Sequence, residues 1–271
     1  MQSTISANQT QHTMSVITTG FTLFGIATLA GAINAVAGGG SFLTFPALLL
    51  AGLTGISANA TNNTAMWLGT TASAHGYREE LKQTRTVNLR LILSSGFGSI
   101  IGAMLVLLTP EVAFIKAVPF LLLAATLLFI FGPVMSRRHG VQPDEMILPP
   151  WALPAQFLLG IYGGYFGAGV GIATLALLGQ IGFTRIHQMN GLKTLLTSCM
   201  NGIAVVPFAL AGAIVWHWAL VMCGGAMIGG YLGARVARKT SPARIRSIVI
   251  TIAVSMTTYF FWKTYFAMPP N

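Results

Sequence analysis

The residues best suited to chemistry are the amides in Ala58-Asn-Ala-Thr-Asn-Asn-Thr64, namely Asn59, Asn62 and Asn63, and the pair Asn190 and Lys193 in His187-Gln-Met-Asn-Gly-Leu-Lys-Thr-Leu-Leu196. Amide and ammonium N–H groups are hydrogen-bond donors, which is what an oxyanion requires of its surroundings. Asn59 corresponds roughly to Asn190, and Asn62 to Lys193. Three asparagines and two threonines at the start of a helix exceed what capping needs, since one side chain normally serves an N-cap. Polar packing between helices is the competing reading. Lys193 also has two readings: a buried charge serving a ligand, or an anchor one turn into its helix that reaches back to the membrane surface beside Arg185.

What must position these side chains is a pair of glycine-broken apolar segments. Gly31-Ala-Ile-Asn-Ala-Val-Ala-Gly-Gly-Gly40 and Gly160-Ile-Tyr-Gly-Gly-Tyr-Phe-Gly-Ala-Gly169 share glycines at one offset, with Gly31/Gly160, Gly38/Gly167 and Gly40/Gly169 each 129 residues apart. Consecutive glycines destabilise a helix by about 1 kcal/mol each, so Gly38, Gly39 and Gly40 predict a break. Its freed N–H groups and the next helix N-terminus can face an anion. Duplicated, interrupted apolar segments are the best sequence pointer to a binding site between transporter repeats. Isolated glycines elsewhere, as in 96–102 and 224–233, read as close helix packing. Pro46 follows the first break, whereas Leu175 takes the equivalent place after the second.

Other chemistry finds little support. Glu79, Glu80, Glu111, Asp144 and Glu145 all fall in connections or at segment edges, which disfavours a carboxylate proton relay or a carboxylate cation site. No metal site is expected, because no His or Cys has ligand spacing with another. Cys199 and Cys223 lie in apolar runs and read as packing residues. His187, beside Asn190 and Lys193, is expected to be interfacial, and the tryptophans sit mostly at segment ends as belt anchors. Neither a hydrolase nor a nucleotide-binding signature stands in a supporting context, so no enzyme and no cofactor are expected.

Composition sets the class. With 54% hydrophobic and 7% charged residues, the chain suits a lipid-embedded helical bundle. A net charge of +10 is no sign of nucleic-acid binding, because the basic residues cluster between apolar runs, where they orient the chain in a bilayer. Apolar runs are expected at 15–37, 40–53, 57–77, 89–108, 112–134, 151–167, 169–181, 190–211, 217–236 and 243–266. The pieces 40–53 and 169–181 are too short to span and read as re-entrant half-helices.

The basic connections carry Arg78, Lys82, Arg85 and Arg90; Arg137 and Arg138; Arg185 with Lys193; and Arg235, Arg238, Lys239, Arg244 and Arg246. All four are expected in the cytoplasm. That holds only if 15–53 and 151–181 each enter and return, which makes the halves inverted repeats with both termini outside. The expected fold is therefore an all-α integral membrane protein, each repeat being a glycine-broken, re-entrant unit followed by three transmembrane helices. Its parts are a polar tail (1–14), a first repeat (15–134), a cytoplasmic linker (135–150) and a second repeat (151–266).

The run Ala32-Ile-Asn-Ala-Val-Ala-Gly-Gly-Gly-Ser-Phe-Leu-Thr-Phe-Pro-Ala-Leu-Leu49, with Ala58–Thr64 and Met189–Leu196, closely resembles the sulfite exporter TauE/SafE family over about 15–265. The resemblance implies an inner-membrane permease for a sulfur-containing or organic oxyanion, such as sulfite, a sulfonate or sulfoacetate. It joins the residue-level reading in one expectation: alternating access around an anion held between Gly38–Gly40 and Gly167, Gly169 and Gly171. Asn34, Asn59, Asn62, Asn63, Asn190 and Lys193 flank that site. Expected partners are the small anion, the bilayer and, as an open alternative, further copies of the chain. A passive anion channel is the nearer rival, and a membrane scaffold or enzyme subunit the more distant. Sodium held by unwound carbonyls, a proton carried by the substrate and uniport all stay open as coupling modes.

Overall fold

Within hydrocarbon a backbone can satisfy its own N–H and C=O groups only as a helix or a closed barrel, and the described residues of this chain take the first course. The computed structural model describes residues 2–82, 85–135, 148–236 and 242–267, and among them no strand occurs. The helices are α1 (Gln2–Val36), α2 (Ser41–Leu50), α3 (Gly55–Gly76), α4 (Arg78–Lys82), α5 (Arg85–Leu108), α6 (Glu111–Met135), α7 (Ala152–Tyr165), α8 (Val170–Ile181), α9 (Ile186–Leu210), α10 (Trp216–Val236) and α11 (Pro242–Tyr265).

Among the described residues five helices are long and apolar enough to cross a membrane: α5, α6, α9, α10 and the Val16–Val36 part of α1. The half-helices expected after the glycines are present as α2 and α8, of 10 and 12 residues. Two differences from the sequence reading stand out. Residues 2–14, expected as a tail, continue α1 as helix. The connection after α3 contains the short helix α4, whose exposed Glu79 is bonded by Lys82 and paired with Arg78. Those contacts, the Lys82 hydrogen bond foremost, hold the Glu79 carboxyl below its ordinary pKa. Most of the linker at 135–150, with Arg137, Arg138, Asp144 and Glu145, lies outside the described residues, as do Arg238 and Lys239.

Packing crosses between the halves of the sequence. α1 lies along α10, α7 along α5, α3 against α9, and α6 against α11. On α10, Gly225, Gly229 and Gly233 meet the backbone at Phe24, Thr28 and Ala32 of α1. On α5, Ser94 donates to the Leu153 carbonyl of α7, while Gly98 and Gly102 meet the carbonyls of Phe157 and Ile161. Both seams advance in step, so each pair runs parallel. Small residues every fourth position let the backbones approach closely, which in lipid replaces the hydrophobic drive of water.

The two seams use one spacing. Ser94, Gly98 and Gly102 precede Gly225, Gly229 and Gly233 by 131 residues, the separation of Thr126 and Thr257, whose hydroxyls meet at 3.0 Å between α6 and α11. Between α3 and α9, Thr71 and Ser198 hydroxyls lie 2.7 Å apart, and the corresponding crossed pair, Trp67 and Gly202, is also in contact.

This predicts a sharp contrast between two glycines. A side chain at Gly229 would drive into the Thr28 carbonyl, whereas Gly25 has open space around it. Gly229→Val is expected to lower the thermal unfolding midpoint by several degrees, from an overpacking penalty of about 1–3 kcal/mol or more. Gly25→Ala should leave it unchanged or slightly raised. Fluorescence-detected thermal unfolding of the purified proteins measures both, and equal midpoints would refute the seam.

Candidate functional site

The two breaks are built alike. At the end of α1 the Ile33 carbonyl accepts from Ala37 N–H (2.8 Å) and Gly38 N–H (3.3 Å), and Gly38 turns the chain at φ 86°. At the end of α7 the Tyr162 carbonyl accepts from Phe166 N–H (3.0 Å) and Gly167 N–H (3.2 Å), and Gly167 turns it at φ 74°. Such left-handed values suit glycine, whose missing Cβ removes the clash. The breaks also touch. A Cβ on Gly38 would lie 2.9 Å from the Gly171 carbonyl carbon, and one on Gly171 would lie 3.1 Å from Gly38 Cα. Of the sequence-predicted glycines, Gly38 and Gly171 thus come together from segments far apart in the chain, backbone against backbone.

Each break leaves helix-terminal carbonyls that the helix itself cannot satisfy. The other half of the chain satisfies them. Lys193 of α9 directs Nζ at the end of α1 and donates to the carbonyls of Asn34 (2.8 Å) and Ala35 (3.0 Å) and to Oδ1 of Asn190 (3.1 Å). Conversely, Asn59 of α3 donates through Nδ2 to the Tyr165 carbonyl at the end of α7 (3.0 Å). Lys193 is 1% exposed, so the reading of it as a surface anchor does not hold. The helix begins at Ile186, not near Asn190, which puts Lys193 about two turns inside. All three ammonium protons are engaged by protein oxygens, and the electronegative end of α1 faces the charge.

The remaining expected residues divide between the two breaks. Asn62 accepts a short hydrogen bond from the Thr44 hydroxyl of α2, so it belongs to the first break. Asn59 and Asn63, one helical turn apart, face the second. Both amide atoms of Asn63 and Oδ1 of Asn59 are buried without a hydrogen-bond partner. The Asn63 Nδ2 atom lies 3.8 Å from where a Cβ on Gly167 would stand. Asn34 takes part through its backbone carbonyl, Gly39 and Gly40 are buried in the turn before α2, and Gly169 caps α8 at φ 78°.

Sequence reasoning missed several supports of the site. Tyr162 donates to the Ala168 carbonyl inside the second break (2.7 Å). Phe45, Phe114 and Phe166 form an edge-on aromatic cluster beside it. Glu111 accepts from Gly55 N–H and Ile56 N–H, capping α3 from the start of α6. Thr44 alone carried a readable signal, as a hydroxyl within a short apolar half-helix. The others act through neighbours remote in sequence. Among the described residues no cluster of His, Cys, Asp or Glu could hold a metal ion.

Among the described residues, the two abutting helix breaks thus gather a buried cluster of amides and one enclosed cation. The family model for the sulfite exporter TauE/SafE matches residues 23–260. The chain belongs to the TauE/SafE family. It is also 33% identical over 242 residues to a probable membrane transporter protein of Haemophilus influenzae, covering 87% of this chain and 91% of that one. With the probable membrane transporter protein YfcA of Escherichia coli K12 it shares 29% identity over 245 residues, 90% of each. This TauE/SafE protein is accordingly a multi-pass membrane protein of a transporter family.

Removing the Lys193 ammonium would strand buried carbonyls at the α1 break, at a cost of about 1–3 kcal/mol for an unsatisfied group. Lys193→Met is therefore expected to lower the unfolding midpoint of purified protein by several degrees, and Lys193→Arg to lower it less. A midpoint unmoved by Lys193→Met would show that the ammonium does not hold the break.

Proposed function

We propose that this protein carries a small sulfur-containing or organic oxyanion across the cell's inner membrane by alternating access between two inverted repeats, with both termini outside. The observation that carries this reading is the buried, unpaired Asn63 amide beside two abutting helix breaks. Gly38, just before α2, and Gly171, in the first turn of α8, touch at these breaks, and the positive end of a helix is suited to a negative ligand. Lys193 contributes positive charge from behind the first break rather than a free donor, since its protons are already engaged. The amides supply orientation. Crossed packing of α1 with α10 and α7 with α5, at a shared spacing, supports the inverted-repeat arrangement.

Substrate choice follows from what the site lacks. No carboxylate faces the breaks among the buried residues described, so an anion meets no fixed negative charge there. Membership of a family of sulfite exporters favours sulfur oxyanions within that class.

Ligand binding to the folded state raises its stability, so a thermal-shift screen against sulfite, thiosulfate, sulfonates and small carboxylates is the direct test. At least one sulfur oxyanion is expected to raise the midpoint, and to show saturable flux and counterflow in proteoliposomes. Stabilisation by none of them would overturn the reading, and flux without saturation or counterflow would make the protein a channel. A reporter fused after Asn271 is expected to be active only outside, and a cytoplasmic signal would refute the orientation.

A further inference from the structure

We propose that the C-terminal end of α7 binds a monovalent alkali cation, in the position that the Lys193 ammonium takes at the end of α1. This rests on the reading of the chain as two repeats around one anion site. The residues that receive Lys193 are Asn34 and Ala35, through their carbonyls. Ile33 and Tyr162 play one role at the two breaks and are 129 residues apart, so the counterparts of Asn34 and Ala35 are Gly163 and Gly164. Those carbonyls close α7, where intrahelical donors run out.

The protein brings no charge of its own to this end. Lys193 is the one buried cationic side chain among the described residues, and its counterpart, 131 residues earlier, is Asn62. Asn62 is neutral and is turned to Thr44 of α2. Oxygen, by contrast, is plentiful. Asn59 is pinned by its Nδ2 bond to the Tyr165 carbonyl, so its Oδ1 must point elsewhere, and that atom has no partner. The Asn63 amide is likewise unpartnered. A Cβ on Gly167 would stand 3.1 Å from the Gly163 carbonyl oxygen and 3.8 Å from Asn63 Nδ2, so the amide and the carbonyl flank one spot.

Buried acceptors without donors are costly, and a cation satisfies several at once. The set consists of neutral oxygens and the negative end of a helix dipole, which suits a single charge. A divalent ion would call for carboxylates, and none is buried among the described residues. Asn63 links this site to the anion site. Asn63 Nδ2 is the amide atom nearest this spot, and since neither amide atom is bonded, the amide can turn over to place Oδ1 on the cation and direct Nδ2 away, available to an oxyanion. Each ion then raises the affinity of the other, as linkage requires. This gives the carrier a coupling ion without an intramembrane acid.

The test uses the purified wild-type protein and its Asn63→Leu variant, with Asn63→Ala as a second variant should leucine impair folding. Thermal unfolding is followed in sodium, potassium or choline chloride at equal ionic strength, with and without sulfite or ethanesulfonate. The wild-type midpoint is expected to rise saturably by about 3 °C in sodium or potassium relative to choline. Anion affinity should rise in the same salts, and substitution of Asn63 should weaken apparent cation affinity at least about 10-fold. Anion binding with equal midpoints and equal affinity in all three salts overturns the cation site and leaves the anion carrier standing. Cation-dependent stability without binding of any tested anion does the reverse, sinking the carrier reading while supporting the cation site.

Discussion

A helix that stops inside a membrane leaves carbonyl groups facing a medium that cannot hydrate them, and this constraint governs the centre of the molecule. The protein meets it twice with side chains borrowed from the other half of the chain. Lys193 holds the end of α1 and Asn59 the end of α7. Each broken helix is therefore incomplete without the opposite half. The magnitudes favour this arrangement even for a charge. Insertion of a lysine at the bilayer centre costs about 3 kcal/mol on translocon scales, and hydrogen bonds from charged donors contribute about 1.5–3 kcal/mol each. Three such bonds to Asn34, Ala35 and Asn190 can offset the penalty.

The seams make those long reaches possible. Gly229 and Gly98 bring α10 onto α1 and α5 onto α7 so closely that a Cβ at either would overlap a backbone carbonyl. Because each pair runs parallel, the broken helices are held along most of their length by unbroken partners. The rest of the interior is then free to place α3 and α9, which carry the amides, between the two breaks. Polar residues on α3 that look expensive in a membrane helix, such as Thr61, Asn62 and Thr64, are fully enclosed by neighbours and mostly bonded.

Much of the fold was legible because its punctuation is local. Gly38-Gly39-Gly40 announces a break wherever it occurs, and the ten apolar runs expected from the sequence correspond to ten of the helices, with ends differing by several residues in places. What escaped was set by neighbours distant in sequence. The depth of Lys193 is not legible in the sequence, because His187, Gln188 and Asn190 read as a polar approach to the membrane, whereas they form the first turns of α9. That its protons go to carbonyls 158 and 159 residues earlier is invisible to any local pattern. The helix α4 has five residues and no apolar period, and Glu111 is a cap only because α6 begins beside α3. The sequence-expected site residues cluster as a group, but their division of labour came from tertiary contacts alone.

The two breaks are capped unequally, one by a lysine and one by an asparagine. If both were capped by amides alone, the centre would contain no fixed charge, and an oxyanion would have to give up its water for neutral dipoles. If both were capped by lysines, two buried ammonium groups would repel one another across the Gly38–Gly171 contact and hold an anion too firmly to release it. In the proposed anion carrier one lysine, with its protons committed to α1 and Asn190, gives a standing positive potential at the centre without forming a direct bond to the ligand. In the same proposal Asn63, uncommitted on both amide atoms, adjusts to either ion. A carrier must bind well enough to select and weakly enough to let go, and a charge placed behind the backbone meets both demands better than one placed against the substrate.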